Sequence, residues 1–463
     1  MAASSEREFD VVIVGAGPAG EVIAGRIGDA GLEVALVERE NVGVECSFWA
    51  CMPSKALLRP AQALAEARRV PGAAEAAQGE LDVEAVLARR DEIIHDLDDS
   101  SQVPWLEAHN VTLVRGHGML TPGGGRVAVG DETLVARRAV VLAVGSTAAM
   151  PLIPGLLDAH PWTNREITTA KEVPGRLAII GGGVVGVEMA QAWTTLGSKV
   201  TLVQSSGRLI PREEPFAGEQ VEAALRELGV DVRLGTRTTA VERSDSGEVR
   251  LELNRGEPVT ADELVVAVGR RPPTDDLGLD CIGLEPGMTI EVDEHMRAVS
   301  HSWLYAVGDV NGRALLTHMG KYQARIASDH IVGGDNDTAH GGARGTLSPR
   351  VIFTDPQVAA VGHTADSAEA AGLRVRAVDV PISGTAGGSF YGRGAEGTAR
   401  IVVDEDRRVL VGATFTGPDV SEFVHAATIA VVGEVPLERL WHATPSFPTR
   451  SEIWLKLLEA YGL

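Results

Sequence analysis

The fold is decided near the amino terminus, by the stretch FDVVIVGAGPAG at residues 9–20. The largely apolar residues 9–14 predict a buried strand, and the glycine-rich turn leads into an alanine-rich helix that ends near Ala30. A second strand, Glu33–Val37, ends in the acid Glu38. This βαβ pattern is typical of a dinucleotide site, in which glycines let the backbone approach a pyrophosphate and the acid binds a ribose diol. The predicted binding residues are Gly15, Gly17, Gly20 and Glu38.

A second copy of the pattern begins at Arg176. Its parts are a strand at Leu177–Ile180, the turn GGGVVG at residues 181–186, a helix at Val187–Leu196 and a strand at Lys199–Val203. Two dinucleotide sites on one chain predict two cofactors that exchange electrons. The predicted binding glycines of the second site are Gly181, Gly183 and Gly186.

The second site differs from the first where its second strand ends, because Gln204 stands there in place of an acid. A carboxylate at this point would bind the ribose hydroxyls of NADH and repel a 2′-phosphate. Gln204, Ser205 and Arg208 offer neutral donors and a cation instead, which favours NADPH over NADH. Arg208 could equally be an ordinary surface arginine.

Cys46 and Cys51 follow the first site closely and are separated by four residues. On an ideal helix their Cα atoms would lie roughly 8 to 9 Å apart, beyond the ~4.4–6.8 Å that a disulfide tolerates. We therefore expect Cys46 in a turn before or at a helix start and Cys51 in the first helical turns. A bridge closing so short a loop stabilises little, so a redox-active pair is favoured over a metal site or inert thiols. The third cysteine, Cys281, is predicted to be a buried apolar side chain.

Composition limits the classes of partner. The 463 residues are 44% hydrophobic and predict about three domains, and the formal charge of −22 argues against nucleic acid and anionic membrane surfaces. The polar amino terminus, Met1–Glu8, shows no signal peptide, and no apolar run is long enough to span a membrane. We predict a soluble cytoplasmic protein that acts on a small molecule and has no metal site.

Seven motifs together carry a family resemblance: residues 15–20 with Glu38, 46–55, 141–145, 181–188, 268–272, 305–309 and 353–356. Through them the chain resembles the class I pyridine nucleotide-disulfide oxidoreductases, the group of dihydrolipoamide dehydrogenase, glutathione reductase and mercuric reductase. The resemblance implies an α/β fold with two Rossmann-type dinucleotide-binding domains and an α+β carboxy-terminal dimerisation domain, in a homodimer. The implied domains are FAD-binding (with a central part) at 1–153 and 276–344, NAD(P)-binding at 154–275, and interface at 345–463.

The resemblance also implies a role for each matching residue. Lys55, paired with Glu188, would lie near the flavin N5 and help stabilise the reduced cofactor. Cys51 would be the thiol that faces the flavin, and Cys46 the thiol that meets the substrate. The further residues implied for FAD are Gly118, Gly145, Asp309, Thr317 and His318, with Gly269 implied for NAD(P)H.

The carboxy-terminal segment departs from the family pattern, in which a histidine five positions before a glutamate acts as acid and base across the dimer interface. Aligning Glu452 as that glutamate places Phe447 at the histidine position, and His442, five residues upstream, would need an altered loop to replace it. Because losing an acid-base group typically costs ~10²- to 10⁴-fold, alkyl disulfides are expected to be poor substrates. Near the cysteines, Trp49 could line an aromatic pocket or simply pack under the flavin.

These residues leave the electron acceptor open. The favoured function is an FAD-dependent NAD(P)H oxidoreductase that passes hydride through the flavin to a Cys46–Cys51 disulfide and then to an acceptor other than the common dithiols, such as a disulfide with acidic leaving thiols. The alternatives are a quinone or metal-ion reductase of the mercuric reductase kind, although the vicinal cysteines of that enzyme's tail are absent, and an electron-transfer or redox-sensing module for a protein partner.

Overall fold

A computed structural model describes residues 5–334 and 345–463 of the chain. Two sequence-based expectations therefore extend outside the described residues: the first part of the polar amino terminus, residues 1–4, and the end of the second FAD-binding segment, residues 335–344.

The described residues form 21 strands and 12 α-helices. The strands are β1 (Ser5–Val14), β2 (Val34–Glu38), β3 (Val111–Arg115), β4 (Gly118–Leu120), β5 (Arg126–Val129), β6 (Glu132–Leu142), β7 (Thr147–Ala148), β8 (Arg176–Ile180), β9 (Lys199–Val203), β10 (Asp231–Arg233), β11 (Thr238–Arg243), β12 (Val249–Leu253), β13 (Val259–Ala261), β14 (Glu263–Val266), β15 (Arg270–Arg271), β16 (Leu304–Ala306), β17 (Arg350–Ile352), β18 (Gln357–Gly362), β19 (Val375–Pro381), β20 (Thr398–Asp404) and β21 (Val409–Gly417). The α-helices are α1 (Pro18–Asp29), α2 (Cys51–Arg69), α3 (Val83–Ile93), α4 (Val103–Ala108), α5 (Asn164–Thr169), α6 (Val184–Thr195), α7 (Pro215–Glu227), α8 (Thr317–Val332), α9 (Ala365–Ala370), α10 (Val424–Val432), α11 (Leu437–Leu440) and α12 (Ile453–Tyr461).

The first of two compact units comprises Met1–Met52, Asp91–Ala148 and Arg270–Gly345. Its main sheet has the order β3-β2-β1-β6-β5-β4, and β16 pairs with β6. β1 lies parallel to both β2 and β6, and its last residues are buried on both faces, which explains their unbroken apolar character. The turn into α1 admits only glycine at Gly20, because a Cβ there would lie 1.9 Å from the carbonyl oxygen of Gly15.

The second unit comprises Pro53–Arg90, Ala149–Gly269 and Thr346–Leu463. Its first sheet, β10-β9-β8-β14, is parallel and repeats the pattern of the first unit, and a small antiparallel sheet, β11-β12-β13, follows in the chain. The same glycine constraint recurs, since a Cβ on Gly186 would lie 1.8 Å from the carbonyl oxygen of Gly181. Helix α2 begins in the first unit at Cys51, and its residues from Pro53 onward belong to the second.

The carboxy-terminal part of the second unit is an antiparallel five-stranded sheet of order β17-β18-β21-β20-β19 with α10 and α12 packed in its core. Two adjacent acids just before and at the start of α7 join it to the nucleotide-binding part. Glu213 accepts from Arg350 at 2.7 Å, and the buried Glu214 accepts from Arg400 at 2.8 Å. A buried carboxylate is tolerated only when it is paired in this way.

The α/β fold class is confirmed, while one local prediction needs correction. Cys281 is exposed, because it lies in a short surface turn instead of a core element. On α3, Arg90 is fully buried and donates to the carbonyl oxygens of Thr168 and Ala170. No helix in the described ranges has the length and apolar character needed to cross a membrane.

Candidate active site

The first dinucleotide cradle is formed by the turn between β1 and α1. The Oε2 of the buried Glu38 accepts from the backbone N–H of Ala16 at 2.7 Å, and Oε1 accepts from that of Glu40 at 2.7 Å. Burial raises the pKa of the Glu38 carboxyl. Gly17 caps α1 without any side-chain hydrogen bond, and no atom lies within 4 Å of where its Cβ would be. Open space over a helix amino terminus with unpaired N–H groups fits the pyrophosphate of a dinucleotide.

Asp309, predicted to hold the FAD chain, is tied to a polar network that the sequence did not reveal. Ser146 Oγ donates to Asp309 Oδ2 at 2.5 Å, and Arg270 Nε donates to Ser146 Oγ at 2.7 Å. Arg270 also pairs with Glu45, one residue before Cys46, at 3.3 Å. Burial raises the pKa of Asp309, since it penalises the ionised carboxylate. Arg270 belongs to the motif at 268–272, which was the one sequence signal for this network.

The other two glycines assigned to FAD differ in their surroundings. A Cβ on Gly118 would lie 3.1 Å from the side chain of Val14, so close packing against β1 favours glycine there. Gly145 has φ +69° and open space around its Cβ position.

The second cradle repeats the first with a neutral side chain. Gly183 caps α6 over open space, and the buried Gln204 accepts from the backbone N–H of Gly182 at 3.1 Å through Oε1. Its Nε2 donates to Ser206 Oγ at 2.7 Å. Gln204 thus makes the backbone contact that Glu38 makes in the first cradle, without the negative charge. The remaining predicted residues are Ser205, which is exposed, Arg208, which donates to the Pro211 carbonyl at 2.8 Å, and Gly269, which has φ +137° and open space at its Cβ position.

The cysteines lie on either side of a break between two helical segments. Cys46 lies in a π-helical turn, Glu45–Trp49, and Cys51 is the first residue of α2, with Ala50 non-helical between them. This agrees with the expectation that a continuous α-helix could not bring the two sulfurs together. Both cysteines are free thiols, and they hydrogen-bond to each other.

Thr317, the first residue of α8, contacts both sulfurs. Its Oγ1 is 3.4 Å from Cys51 Sγ and donates to Cys46 Sγ at 3.4 Å. The bond to Cys51 and burial raise the pKa of the Cys46 thiol, which favours its protonated form. The amino terminus of α8 also favours negative charge. The sequence placed Thr317 and His318 at the flavin and gave no sign of this sulfur contact; His318 is exposed.

Lys55 and Glu188 form an ion pair within the second unit. Lys55 Nζ donates to Glu188 Oε2 at 2.8 Å, and the Glu188 side chain is only 3% exposed. Oε1 of Glu188 accepts from the Phe353 backbone N–H at 2.9 Å, and the ammonium lies 4.7 Å from the centre of the Phe353 ring. Both carboxylate oxygens are therefore satisfied. Lys55 follows Cys51 by one turn of α2.

Most residues of the carboxy-terminal segment 441–449 are exposed. The Phe447 side chain is 77% exposed, and Trp441 and His442 are exposed as well. The buried Arg450 anchors the segment by lying 4.3 Å from the ring centre of Tyr391. Glu452 accepts from the Gly387 backbone N–H at 3.2 Å.

Comparison with known proteins agrees with this geometry. The model of the pyridine nucleotide-disulphide oxidoreductase family matches residues 9–327, and the model of that family's dimerisation domain matches residues 348–458. The chain belongs to the pyridine nucleotide-disulphide oxidoreductase family. The dimerisation-domain match fits the predicted homodimer.

The relatives of this oxidoreductase include dihydrolipoyl dehydrogenases and mercuric reductases. Dihydrolipoyl dehydrogenase of Thermus scotoductus is 32% identical over 462 residues, which cover 98% of this chain and 97% of the relative. Mercuric reductase of Lysinibacillus sphaericus is 29% identical and covers 98% of this chain and 82% of the relative. Among solved structures, LpdA from Mycobacterium tuberculosis has a TM-score of 0.84 at 24% identity, covering 99% of this chain and 100% of that one. At that identity the likeness concerns the fold.

Family membership establishes the general chemistry. The protein is an enzyme of the flavoprotein disulfide oxidoreductase type that uses FAD and NAD(P)H. The two cradles described above are the candidate sites for these dinucleotides. Within residues 5–334 and 345–463, no group of three or more His, Cys, Asp or Glu side chains could hold a metal ion.

Proposed function

We propose that this oxidoreductase reduces a Cys46–Cys51 disulfide with electrons from NADPH and passes them to an acceptor whose reduction needs no histidine acid-base group. The single observation that carries the proposal is the contact of Thr317 Oγ1 with both sulfurs at 3.4 Å, in a pair whose thiols hydrogen-bond to each other. A threonine hydroxyl in hydrogen-bond contact with both sulfurs, at the amino terminus of a helix, stabilises the negative charge of a pair in which one cysteine is a thiol and the other a thiolate.

The two cysteines are assigned the roles that the family resemblance implies, with Cys46 as the thiol that meets the acceptor and Cys51 as the thiol that faces the flavin. The bond to Cys51 raises the pKa of the Cys46 thiol, which favours its protonated form. FAD, when bound, supplies the two-electron transfer from NAD(P)H to the sulfurs. Cys46 is then the thiol that must lose its proton to attack an acceptor. Lys55 and Glu188 are proposed to keep a fixed positive charge available to the reduced cofactor.

The acceptor class follows from Phe447. When a thiolate attacks a disulfide acceptor, one sulfur of the acceptor leaves as a thiolate. An alkyl thiolate is a poor leaving group unless it is protonated as it departs. With phenylalanine at the histidine position and no proton donor on that side chain, we propose an organic disulfide with acidic thiols, such as an aryl disulfide.

The nucleotide is proposed to be NADPH because of Gln204. This buried amide keeps the backbone contact of the second cradle while removing the charge that would repel a 2′-phosphate. Arg208 is held near the Pro211 carbonyl and offers a cation in the same loop.

A thiol count tests the redox role directly. Oxidised holoenzyme is treated anaerobically with one equivalent of NADPH, and alkylated cysteines are located by peptide mass. We expect Cys46 and Cys51 to change from blocked to alkylated together, with a long-wavelength absorbance band from the Cys51 thiolate beside the oxidised flavin. Cys281→Ser is the matched control, because this exposed thiol should alkylate before and after reduction. If NADPH bleaches the flavin and the two cysteines were already free thiols in the oxidised enzyme, the proposal is wrong.

Turnover then separates the acceptors. Steady NADPH oxidation with an aryl disulfide that is lost in Cys51→Ser supports the proposal, whereas reduction that occurs once and proceeds only through another protein supports an electron-transfer module. A second candidate is reduction of a soft metal ion or a quinone, favoured by the 29% identity to a mercuric reductase. Turnover with Hg²⁺ or a benzoquinone but not with the aryl disulfide would assign that function instead.

A further inference from the structure

The motif at residues 353–356 follows strand β17 and has no part in the function proposed above. Its residues contact two helices of the second compact unit, α2 and α6. These helices carry Lys55 and Glu188, the two members of the buried ion pair. The motif is therefore placed to hold both members of that pair.

Helix α2 contacts the motif through side chains that are seven residues apart. Gln62 Nε2 donates to the Phe353 carbonyl oxygen at 2.7 Å, and Arg69 forms an ion pair with Asp355. Lys55 lies seven residues before Gln62, and its ammonium is 4.7 Å from the centre of the Phe353 ring. Because seven residues are close to two turns of a helix, these three side chains share one face of α2, and that face contacts the motif.

Helix α6 contacts the same motif through two acceptors. Glu188 Oε1 accepts from the Phe353 backbone N–H at 2.9 Å, and the buried Gln191 accepts from the Asp355 backbone N–H at 2.7 Å. The other carboxylate oxygen of Glu188 accepts from Lys55 at 2.8 Å. Phe353 thus contacts both members of the ion pair, because its backbone binds the carboxylate and its ring lies near the ammonium.

We propose that Phe353 is a positioning residue that fixes the Lys55 ammonium for the reduced flavin. The inference rests on the role proposed above for Lys55 and Glu188. A cation within about 6 Å of a ring centre is attracted to the face of the ring, and a lysine side chain loses conformational freedom when it is held in one place. The ring and the carboxylate restrict the ammonium before the cofactor is reduced, so reduction does not have to order it.

The fixed ammonium acts on the charge that reduction adds. A hydride from NADPH carries two electrons and one proton and leaves NADP⁺, so the reduced cofactor gains one negative charge. A positive charge that is already in place stabilises that state relative to the oxidised one. Loss of the Phe353 ring should therefore shift the equilibrium toward oxidised flavin. The shift should be moderate, since the Lys55 side chain is 35% exposed and keeps its bond to Glu188.

Equilibrium reduction of the flavin tests the inference. FAD-loaded enzyme carrying Cys46→Ser and Cys51→Ser, in which the cysteine pair takes no electrons, is reduced anaerobically beside a dye of known potential. Adding Phe353→Leu removes the ring and keeps an apolar side chain. At a fixed dye potential it should lower the ratio of reduced to oxidised flavin about three- to tenfold, which is ~14–30 mV for two electrons. Phe353→Tyr keeps the ring and should keep the parent ratio.

Acylation of lysines reports on the Lys55 side chain without the flavin signal. The chain has five lysines, and the exposed Lys199 serves as the internal reference. In FAD-loaded enzyme treated with a trace of acetic anhydride, the modified lysines are measured by peptide mass. Phe353→Leu should increase the rate at Lys55 relative to Lys199, because the ring no longer lies beside the ammonium, and Phe353→Tyr should not.

Thr354→Val is the matched control for damage to the motif. Thr354 Oγ1 donates to the Pro356 carbonyl oxygen at 2.7 Å, so this variant should lower the unfolding temperature and leave the flavin ratio and the Lys55 rate unchanged. An unchanged flavin ratio or an unchanged Lys55 rate in Phe353→Leu overturns the inference. A shift of the ratio in Thr354→Val as large as that in Phe353→Leu overturns it as well.

Lys55→Met in the same background tests the role on which the inference rests. If this variant leaves the flavin ratio unchanged, the role proposed for Lys55 is wrong, and the role of Phe353 falls with it. A shift in Lys55→Met without one in Phe353→Leu overturns the role of Phe353 alone. The redox role of the cysteines is decided separately, by the thiol count on the parent enzyme.

Discussion

Exchanging one glycine for alanine in each cradle should weaken the binding of FAD in one variant and of NADPH in the other. Gly17 and Gly183 cap α1 and α6 with nearly the same backbone, φ −71° and ψ 178° for one and φ −81° and ψ −170° for the other. Alanine adopts these angles without strain, and no atom lies within 4 Å of either Cβ position. The loss of a good cap and the smaller entropy of the unfolded chain offset each other to within about 1 kcal/mol. Both variants should therefore fold.

The cost should appear in binding, because the new methyl group enters the space proposed for a pyrophosphate. Losing one hydrogen bond to a charged phosphate costs about 1.5–3 kcal/mol, which is roughly 10- to 100-fold in affinity. We expect Gly17→Ala to release FAD on dilution, as followed by flavin fluorescence, with the KM for NADPH of the reloaded enzyme unchanged. Gly183→Ala should keep its flavin and show a KM for NADPH raised by a similar factor.

A third variant serves as the folding control. Gly20→Ala places a methyl group 1.9 Å from the Gly15 carbonyl oxygen, so it should lower the unfolding temperature itself. The assignment of the two cradles would be refuted if Gly17→Ala bound FAD as tightly as the parent, or if Gly183→Ala lost its flavin.

Three further expectations concern buried charges. Gln204→Glu should keep its bond to the Gly182 N–H and lower kcat/KM for NADPH at least about tenfold relative to NADH, because a carboxylate then faces the 2′-phosphate. Lys55→Met should destabilise the enzyme by about 2–3 kcal/mol, since the 3% exposed Glu188 loses its cation, and a second change, Glu188→Gln, should recover part of the fall in unfolding temperature. Burial raises the pKa of the Glu21 carboxyl from 4.5 to about 7 in the folded state. The contribution of Glu21 to the free energy of unfolding is therefore fully present below pH 4.5 and is lost as the pH rises through 7. Glu21→Gln should raise the unfolding temperature at pH 8 and not at pH 4.5.

Features formed by contiguous residues could be predicted from the sequence, whereas contacts between residues far apart in the chain could not. The glycine turns of both cradles, with Glu38 and Gln204 at their strand ends, could be located because strand, turn and helix are contiguous. The break in the helix between Cys46 and Cys51 also followed from geometry alone. The contact of Thr317 with both sulfurs joins residues 266 and 271 positions apart, and no local pattern carries it.

The prediction for Cys281 was wrong for a similar reason. Residue type suggested burial, but the short turn that holds Cys281 leaves the thiol exposed. Arg90 is the opposite case, because arginine is usually exposed, yet carbonyl oxygens of residues 168 and 170 satisfy its guanidinium inside the protein.

The two ion pairs of Glu213 and Glu214 bear on how this protein could evolve. They join the nucleotide-binding part to strands β17 and β20 of the dimerisation sheet through buried carboxylates. Without its arginine, each carboxylate would be a buried negative charge that lacks its cation. If recombination exchanged the carboxy-terminal domain for that of a distant relative, the incoming domain would need arginines at the positions of Arg350 and Arg400. Inheritance of the two parts is therefore coupled, and we expect these four positions to vary together across descendants of this sequence.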